Sequence, residues 1–247
     1  MQTTGNKLIK LGKPSLIFGW GQQKRFDLVK HHVELEHKRI LDIGCGIGIY
    51  SEKFFKEGAE VYGIDIDPEN IEKAKKIFPG IHFEIAQAEK LPFKDNFFDV
   101  VFLHEVLEHV EDDKKAISEA LRVLKPGGKI IIFVPNRLFP FETHGIYIGR
   151  KYLFGNIPFI NWLPTKIRNI FCPHVRVYSV KVLKKLFERE KVDFEVISFV
   201  FPAFDKIERK LPVLGKIFKK ISIFFEKNSI LRRFGISIFM IVKKKDS

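Results

Sequence analysis

The sequence has little cysteine and no long apolar run. Only Cys45 and Cys172 are present among the 247 residues, which is too few for a disulfide framework and favours a reducing compartment. No apolar stretch approaches the roughly 20 residues of a membrane-spanning helix, and the N-terminus lacks the apolar segment of a secretory signal. We therefore expect a cytoplasmic protein, peripheral at most to the inner face of a membrane.

Acidic residues are scarce in the second half of the chain. Residues 1–135 contain 20 Lys and Arg against 21 Asp and Glu, residues 136–202 contain 11 against 5, and residues 203–247 contain 12 against 4. The net charge of +13 therefore arises entirely after residue 135. Such a basic half either meets an anionic partner, such as phosphate, nucleic acid or a lipid surface, or keeps the protein soluble.

From about residue 38, short apolar runs alternate with amphipathic stretches, which is typical of βαβ units and a parallel sheet. Helices are predicted at GQQKRFDLVKHHVELE, after the glycines of LDIGCGIG, from Asp67 with Pro68 at its first position, from Asp112 to Leu124 before KPGG, and at SVKVLKKLFERE. Strands are predicted at RILDI, EVYGI, IHFEIA, FDVVFL, KIIIFV, VDFEVISFVF and FGISIFMIV. The expected fold is a Rossmann-like α/β structure: a seven-stranded, mostly parallel sheet, helices on both faces, and an insertion after strand five.

The glycine-rich stretch LDIGCGIG follows a strand and opens a helix. Its backbone N–H groups and the helix dipole can therefore face an anionic group of a ligand. A dinucleotide-binding loop would need glycine at the position of Ile49 rather than at Gly48.

The spacing D-x-G-x-G-x-G, led by Asp42, resembles motif I of the class I S-adenosylmethionine-dependent methyltransferases. The resemblance covers residues 38–135 closely and includes Asp65, the stretch AEKLPFKDNFFDVV and the stretch LRVLKPGGKIII. It implies a methyltransferase that uses S-adenosylmethionine as its cofactor. Cofactor contacts are implied at Asp42, Gly44, Gly46, Gly48, Asp65, Ile66, Gln87, Ala88 and His104.

The resemblance also implies roles for these positions. The glycines would let the methionine part approach, Asp42 would hold its amino group, and Asp65 would accept both ribose hydroxyls because a carboxylate has paired acceptors. Ile66 would pack on the adenine, with Gln87 and Ala88 at its edge. The family usually has aspartate where this chain has Gln87, whose amide oxygen can still accept from the adenine amino group.

The stretch LHEVLEHV comes directly after the fourth strand, at the sheet edge where ligands bind in such folds. We therefore expect His104 and Glu105 to line the cleft. The spacing E-x-x-E-H is predicted to place Glu105, Glu108 and His109 on one face of a helical turn. It resembles the metal motif of 2′-O-methyltransferases that act on small-RNA ends, and ubiquinone-pathway O-methyltransferases carry a similar stretch.

That resemblance implies a divalent metal ion on Glu105, Glu108 and His109, with His144 or His174 as a further ligand. Without a metal, the acids would merely start a helix. His104, His109 or His144 would then act as the general base, or no base would be needed. The candidate catalytic residues are accordingly His104, Glu105, His109 and His144.

The whole chain, 1–247, is interpreted as one domain in four parts: an N-terminal cap (1–37), the cofactor-binding core (38–135), a substrate-binding insertion (136–177) and a C-terminal part (178–247). The insertion is expected because residues 136–177 are irregular and rich in aromatics, Pro and Gly. The C-terminal part contains a basic amphipathic segment, broken near Pro212 and Gly215, that either packs against the sheet or a second copy or contacts a membrane.

The function predicted from these features is O-methylation of a small or lipid-linked acceptor. An RNA methyltransferase and a non-catalytic, cofactor-binding partner subunit are the alternatives. No recognised RNA-binding module is present in the sequence, so nucleic acid is the less favoured partner.

Overall fold

The computed structural model describes residues 18–246, so the part of the predicted N-terminal cap before Phe18 lies outside the described residues. The strands are β1 Arg39–Ile43, β2 Glu60–Asp65, β3 His82–Ile85, β4 Phe98–His104, β5 Leu124–Pro135, β6 Phe141–Glu142, β7 Ile146–Ile148, β8 Lys151–Leu153, β9 Ile157–Pro158, β10 Val192–Val200 and β11 Ser237–Lys244. The α-helices are α1 Trp20–His32, α2 Ile49–Lys56, α3 Pro68–Ile77, α4 Asp113–Val123, α5 Thr165–Phe171, α6 Val180–Lys185, α7 Asp205–Lys210 and α8 Pro212–Lys227.

Seven strands form the central sheet in the order β3-β2-β1-β4-β5-β11-β10. β11 runs antiparallel to both of its neighbours, β5 and β10, while the pairs among β1 to β5 are parallel. The predicted fold class, a seven-stranded and mostly parallel α/β sheet, is confirmed.

Both faces of the sheet are buried, which explains why the central strands are almost continuously apolar. Successive residues of β4 and β5 alternate between two apolar clusters: Val101 and Ile130 pack in the cluster that contains α4, whereas Phe102 and Ile131 pack in the cluster that contains α1, α2 and α3. Asp67 caps α3 by accepting from the Glu69 N–H at 2.9 Å, with Pro68 in the first turn as expected.

Four local expectations were wrong. β5 already begins at Leu124, so the KPGG stretch belongs to the strand. α6 ends at Lys185, short of the predicted Glu190. The amphipathic segment is interrupted before Pro212 as predicted, but Gly215 lies inside α8 and does not interrupt it; its role is close packing, since a Cβ there would stand 2.3 Å from the Cα of Glu208 in α7. The insertion is also more regular than predicted, because it contains the strand pairs β6·β9 and β7·β8 and the helix α5.

None of the helices within residues 18–246 combines the length and the apolar character needed to cross a lipid bilayer.

Candidate active site

The glycine loop between β1 and α2 needs glycine for its conformation and for its packing. Gly44, Gly46 and Gly48 have φ values of 69°, 56° and 82°, a region that strongly favours glycine. A Cβ on Gly44 would lie 2.5 Å from Cγ2 of Val106, and one on Gly48 would lie 2.7 Å from Cζ of Phe83. The loop therefore presents bare backbone at the carboxyl edge of the sheet.

Two carboxylates hold this loop. Asp65, at the end of β2, accepts from the N–H of Gly46 and the N–H of Asp67, both at 2.8 Å. Asp42 is 2% exposed and accepts from the Ser51 hydroxyl at 2.6 Å. Burial raises the pKa of Asp42 to about 7, although the hydrogen bond from Ser51 offsets part of that rise. Asp42 is thus held in an environment that disfavours its charge unless a cation is nearby.

The positions predicted to contact adenine lie around the ends of β2 and β3. Ile66 directly follows β2 and is 52% exposed, as an apolar platform open to a planar ligand would be. Gln87 is exposed and Ala88 is buried, and this segment is joined to β2 by the hydrogen bond from the Ala86 N–H to the Asp65 carbonyl at 3.2 Å. Their roles toward adenine stay predictions.

His104 ends β4 and packs against Tyr50 of α2. The two rings are 4.7 Å apart, and Tyr50 Oη lies 3.5 Å from His104 Nε2. Burial, and next the positive charge of Arg25, lower the pKa of His104 to about 4, so this histidine is neutral at neutral pH. Tyr50 also donates to the carbonyl of Gln22 at 3.4 Å, which ties α1 to the end of β4.

The predicted helical turn at E-x-x-E-H is absent, and a non-helical turn replaces it. Glu105 has a φ of 55°, which is left-handed and incompatible with a helix, and the His109 N–H bonds only to the Val106 carbonyl, at 2.9 Å. Glu105 accepts from the Ser237 hydroxyl at 2.6 Å. Glu108 is 1% exposed, and its carboxyl lies close enough to that of Glu105 for the two groups to influence each other's pKa.

Glu108, His109 and His144 lie together, and we call these three residues the polar cluster. One ligating atom of each lies within 4.8 Å of the others. Within residues 18–246, neither Glu108 oxygen has a hydrogen-bond donor in place, although the carboxyl of Glu105 lies nearby. Burial, and next the negative charge of Glu105, raise the pKa of Glu108 well above its usual range. Of the two further histidines predicted, His144 joins the cluster and His174 does not.

His174 lies beside the cluster, with its Nε2 3.4 Å from the carbonyl oxygen of His144. Its Nδ1 is buried and has no hydrogen-bond partner in the described part of the chain. The three residues of the cluster come from two parts of the chain, the turn after β4 and the loop after β6.

A cavity of about 1040 Å³ opens at the start of α1, and its lining includes none of the candidate catalytic residues His104, Glu105, His109 and His144. Its lining is mainly apolar and comes from the start of α1, the insertion, α7, α8 and the segment before β11, including Gln22, Thr143, Phe201, Ile207, Phe218, Ile221, Phe225 and Ile236. Three lining residues connect the cavity to the candidate residues. Gln22 is hydrogen-bonded to Tyr50, which packs on His104, and Thr143 precedes His144. Ile236 precedes Ser237, which donates to Glu105.

The comparisons with known proteins bear on the core of the chain. A family profile described as "Methyltransferase domain" matches residues 41–132. Residues 41–132 are thus similar to a methyltransferase domain, in agreement with the resemblance seen in the sequence. The chain is 33% identical over 138 residues to a ubiquinone biosynthesis O-methyltransferase of Coxiella burnetii; the match covers 54% of this chain and 58% of that protein. It is 36% identical over 125 residues to a demethylmenaquinone methyltransferase of Renibacterium salmoninarum, covering 50% and 51%.

The chain thus matches little more than half the length of these curated relatives. Among solved structures, an S-adenosylmethionine-dependent methyltransferase from Mesorhizobium loti has a TM-score of 0.61 at 20% identity, covering 88% of this chain and 96% of that one. The [4+2]-cyclase SpnF also has a TM-score of 0.61, at 19% identity, with 92% and 82% covered. Since one of these neighbours is a cyclase, the likeness shows the fold alone.

Several residues around the candidate site were missed by sequence reasoning. Ser237 and Arg25 are far from Glu105 in the chain. Ser237, at the start of β11, donates to Glu105, and Arg25 of α1 donates to the Ser237 hydroxyl. Glu142 and Arg168 form a buried ion pair behind His144, and both are 1% exposed. The sequence offered one signal for this pair. Glu142 stands two positions before His144, where its carboxylate can accept a hydrogen bond from the imidazole ring.

Proposed function

We propose that this chain transfers the methyl group of S-adenosylmethionine to an oxygen of a small or lipid-linked apolar acceptor. The observation that carries the proposal is the apolar cavity, whose lining includes Gln22, hydrogen-bonded to Tyr50 beside His104, and Thr143, the neighbour of His144 in the chain. The curated relatives named above, an O-methyltransferase of ubiquinone biosynthesis and a demethylmenaquinone methyltransferase, support an apolar small-molecule acceptor.

In this reaction the acceptor oxygen attacks the methyl carbon in line with the C–S bond. An O–C bond forms, the electron pair of the C–S bond stays on sulfur as S-adenosylhomocysteine leaves, and the acceptor proton passes to His144 of the polar cluster. The protein mainly aligns the two reactants, because the methyl carbon is already activated by the sulfonium. Burial lowers the pKa of His109 to about 4 and raises that of Glu108, so His144 is the member of the cluster that we expect to take up the proton.

We expect His104 to position the cofactor and not to act as the base. A histidine with a pKa of about 4 takes up a proton poorly at neutral pH. Its packing between Tyr50 and Phe133 instead fixes the wall of the cleft at the end of β4.

The test is transfer of labelled methyl from S-adenosylmethionine into lipid, small-molecule and RNA fractions of a cell extract. Label in the lipid or small-molecule fraction supports the proposal. Label in RNA, with binding that weakens steeply with salt, would support an RNA methyltransferase instead. Cofactor binding without transfer to any fraction would support a non-catalytic partner subunit.

A matched pair of variants on α8 tests the cavity. Ile221 lines it and is 41% exposed, whereas Ile223 does not line it and is 39% exposed. We expect Ile221→Trp to raise the KM for an apolar acceptor at least tenfold and to leave cofactor affinity unchanged, because the added ring fills acceptor space. Ile223→Trp should change neither quantity. Equal effects of the two substitutions would exclude the cavity as the acceptor site.

We further propose that α8 contacts an anionic membrane surface, from which a lipid-linked acceptor would enter. Val213, Leu214, Ile217 and Phe224 of this helix are 73%, 45%, 47% and 62% exposed. Lysines and arginines surround them in the most basic part of the chain, residues 203–247. An exposed apolar face with basic neighbours suits insertion between acidic headgroups.

Vesicle flotation tests this surface. The wild type should float with vesicles that contain phosphatidylglycerol and much less with phosphatidylcholine alone. Val213→Ser/Phe224→Ser should abolish flotation, whereas Ile170→Ser, on the equally exposed apolar side of α5, should not. Flotation of the double variant at the wild-type level would refute the membrane contact.

A further inference from the structure

We propose that Gln22 and Thr143 of the cavity lining bind the oxygen-bearing head of an amphiphilic acceptor. We call these two residues the donor pair. The apolar part of the acceptor would lie along Phe218, Ile221 and Phe225 of α8, which line the same cavity. The inference rests on the proposed function for identifying this ligand as the methyl acceptor, and not for whether the ligand binds.

Most of the charged and polar side chains in the lining are already engaged by the protein. Lys219 of α8 forms ion pairs with Asp205 of α7, at 3.2 Å, and with Glu208 of α7. The Ser222 hydroxyl of α8 donates to the carbonyl of Pro202 at 3.1 Å. Because these groups hold α7 and α8 in place, they offer few free hydrogen bonds to a ligand.

The donor pair differs in having unused hydrogen-bonding groups. Gln22 Oε1 accepts from the Gly19 N–H at 2.7 Å, and since an N–H can only donate, this contact fixes which atom of the amide is the donor Nε2. Among residues 18–246, neither Gln22 Nε2 nor Thr143 Oγ1 is hydrogen-bonded to the protein, and neither atom is sealed from solvent. Ligand sites combine an apolar lining with a few polar groups of this kind, which orient the ligand.

The donor pair also connects the cavity to the candidate catalytic residues. The Gln22 carbonyl accepts from Tyr50 Oη at 3.4 Å, and Tyr50 packs against His104. Thr143 directly precedes His144, the residue proposed to take up the acceptor proton. A head group held by the donor pair would therefore have its reacting hydroxyl on the side of His104 and His144.

The cavity has room for more than a head group. Its volume of about 1040 Å³ lies at the upper limit of the roughly 300–1,000 Å³ that is typical of pockets for drug-sized ligands. The other polar lining residues, Asn156 and Arg209, are exposed, and most of the lining is apolar. The acceptor that fits best therefore has one polar end, at the donor pair, and a long apolar part.

Two ligands with the same carbon skeleton test the donor pair: valerophenone, whose carbonyl accepts hydrogen bonds, and pentylbenzene, which has no oxygen. The full chain carries Trp162→Phe and is saturated with S-adenosylhomocysteine, so Trp20, which lines the cavity, is the one remaining tryptophan and its fluorescence reports binding. We expect the ratio of the valerophenone affinity to the pentylbenzene affinity to fall about threefold in Gln22→Leu and in Thr143→Val, and about tenfold in the double variant, because each substitution removes one donor.

Three controls separate the donor role from a structural one. Pentylbenzene should bind every variant with near wild-type affinity, which shows that the cavity is intact. Gln22→Glu keeps an oxygen that accepts from Gly19 but removes the amide donor, so it should lower the ratio as Gln22→Leu does. Asn156→Leu removes an exposed polar side chain from the same cavity and should keep the wild-type ratio.

An unchanged ratio in the double variant, a wild-type ratio in Gln22→Glu, or no binding of either ligand to the wild type would overturn the donor pair. A lowered ratio together with no methyl transfer to any cell fraction would refute the proposed function alone. Methyl transfer by a protein whose double variant keeps the wild-type ratio would refute the donor pair alone.

Discussion

Asp42 offers a quantitative test of the cofactor site, because its carboxylate is buried with one hydrogen bond and a pKa of about 7. In the unfolded chain this group ionises near its usual value of 3.8. Folding therefore favours the protonated form, and stability falls as the pH rises from 3.8 to about 7. Asp42→Asn removes the titration and keeps an oxygen that can accept from Ser51.

The size of the effect follows from linkage. Each pH unit between the unfolded and folded pKa values costs the wild type about 1.4 kcal/mol. About two such units lie between pH 5 and a folded pKa of about 7, so the stability of the Asn variant relative to the wild type should rise by about 3 kcal/mol between pH 5 and pH 8.5. For a chain of this size that corresponds to a relative rise in Tm of about 5 °C or more.

The assay is thermal unfolding of both proteins at pH 5 and pH 8.5 after removal of bound cofactor. The Tm difference between the two proteins is taken at each pH, and comparing these two differences cancels the titration of all groups that the proteins share. Calorimetry should show the opposite effect on the cofactor, a weaker affinity of Asp42→Asn for S-adenosylmethionine, since the carboxylate is proposed to hold its amino group. A Tm difference that does not change between the two pH values would refute the raised pKa.

Three further substitutions test separate parts of the structure. Asp65→Asn should weaken S-adenosylmethionine binding at least tenfold in calorimetry, because it removes one of the paired acceptors; unchanged affinity would exclude the ribose role. Gly44→Ala should abolish cofactor binding, since its Cβ would stand 2.5 Å from Val106, and Val106→Ala should restore part of it. Arg168→Met should cost about 3–5 kcal/mol in denaturant unfolding by leaving Glu142 buried without its partner, and Glu142→Leu in the same chain should recover much of the loss.

The central sheet was predictable from the sequence because its signals are local. Apolar runs such as RILDI and FDVVFL are short, are bounded by turn residues, and are buried on both faces. The glycine loop was predictable for the same reason, since the strand, the glycines and the following helix are contiguous. The roles of the residues in it still rest on the family resemblance and on the tests above.

The turn at E-x-x-E-H was not predictable, because its shape depends on contacts between distant parts of the chain. Read alone, the spacing favours a helical turn, yet Glu105 adopts a φ of 55°. The Ser237 hydroxyl, 132 positions away, holds its side chain toward β11. Likewise, no local pattern indicates that Arg168 lies behind Glu142 and thereby orients His144.

Helix α1 connects the glycine loop to the helices that line the cavity. Residues 1–135, which contain the glycine loop, are nearly balanced in charge, whereas the cavity and α8 belong largely to the basic part of the chain. α1 contacts this basic part directly: Lys24 pairs with Glu226 of α8, and the Gly21 N–H donates to Asp205 of α7 at 3.1 Å. The same helix contacts Tyr50 beside the glycine loop, so α1 holds α7 and α8 in a fixed position relative to the end of β4, where the methyl group is proposed to move.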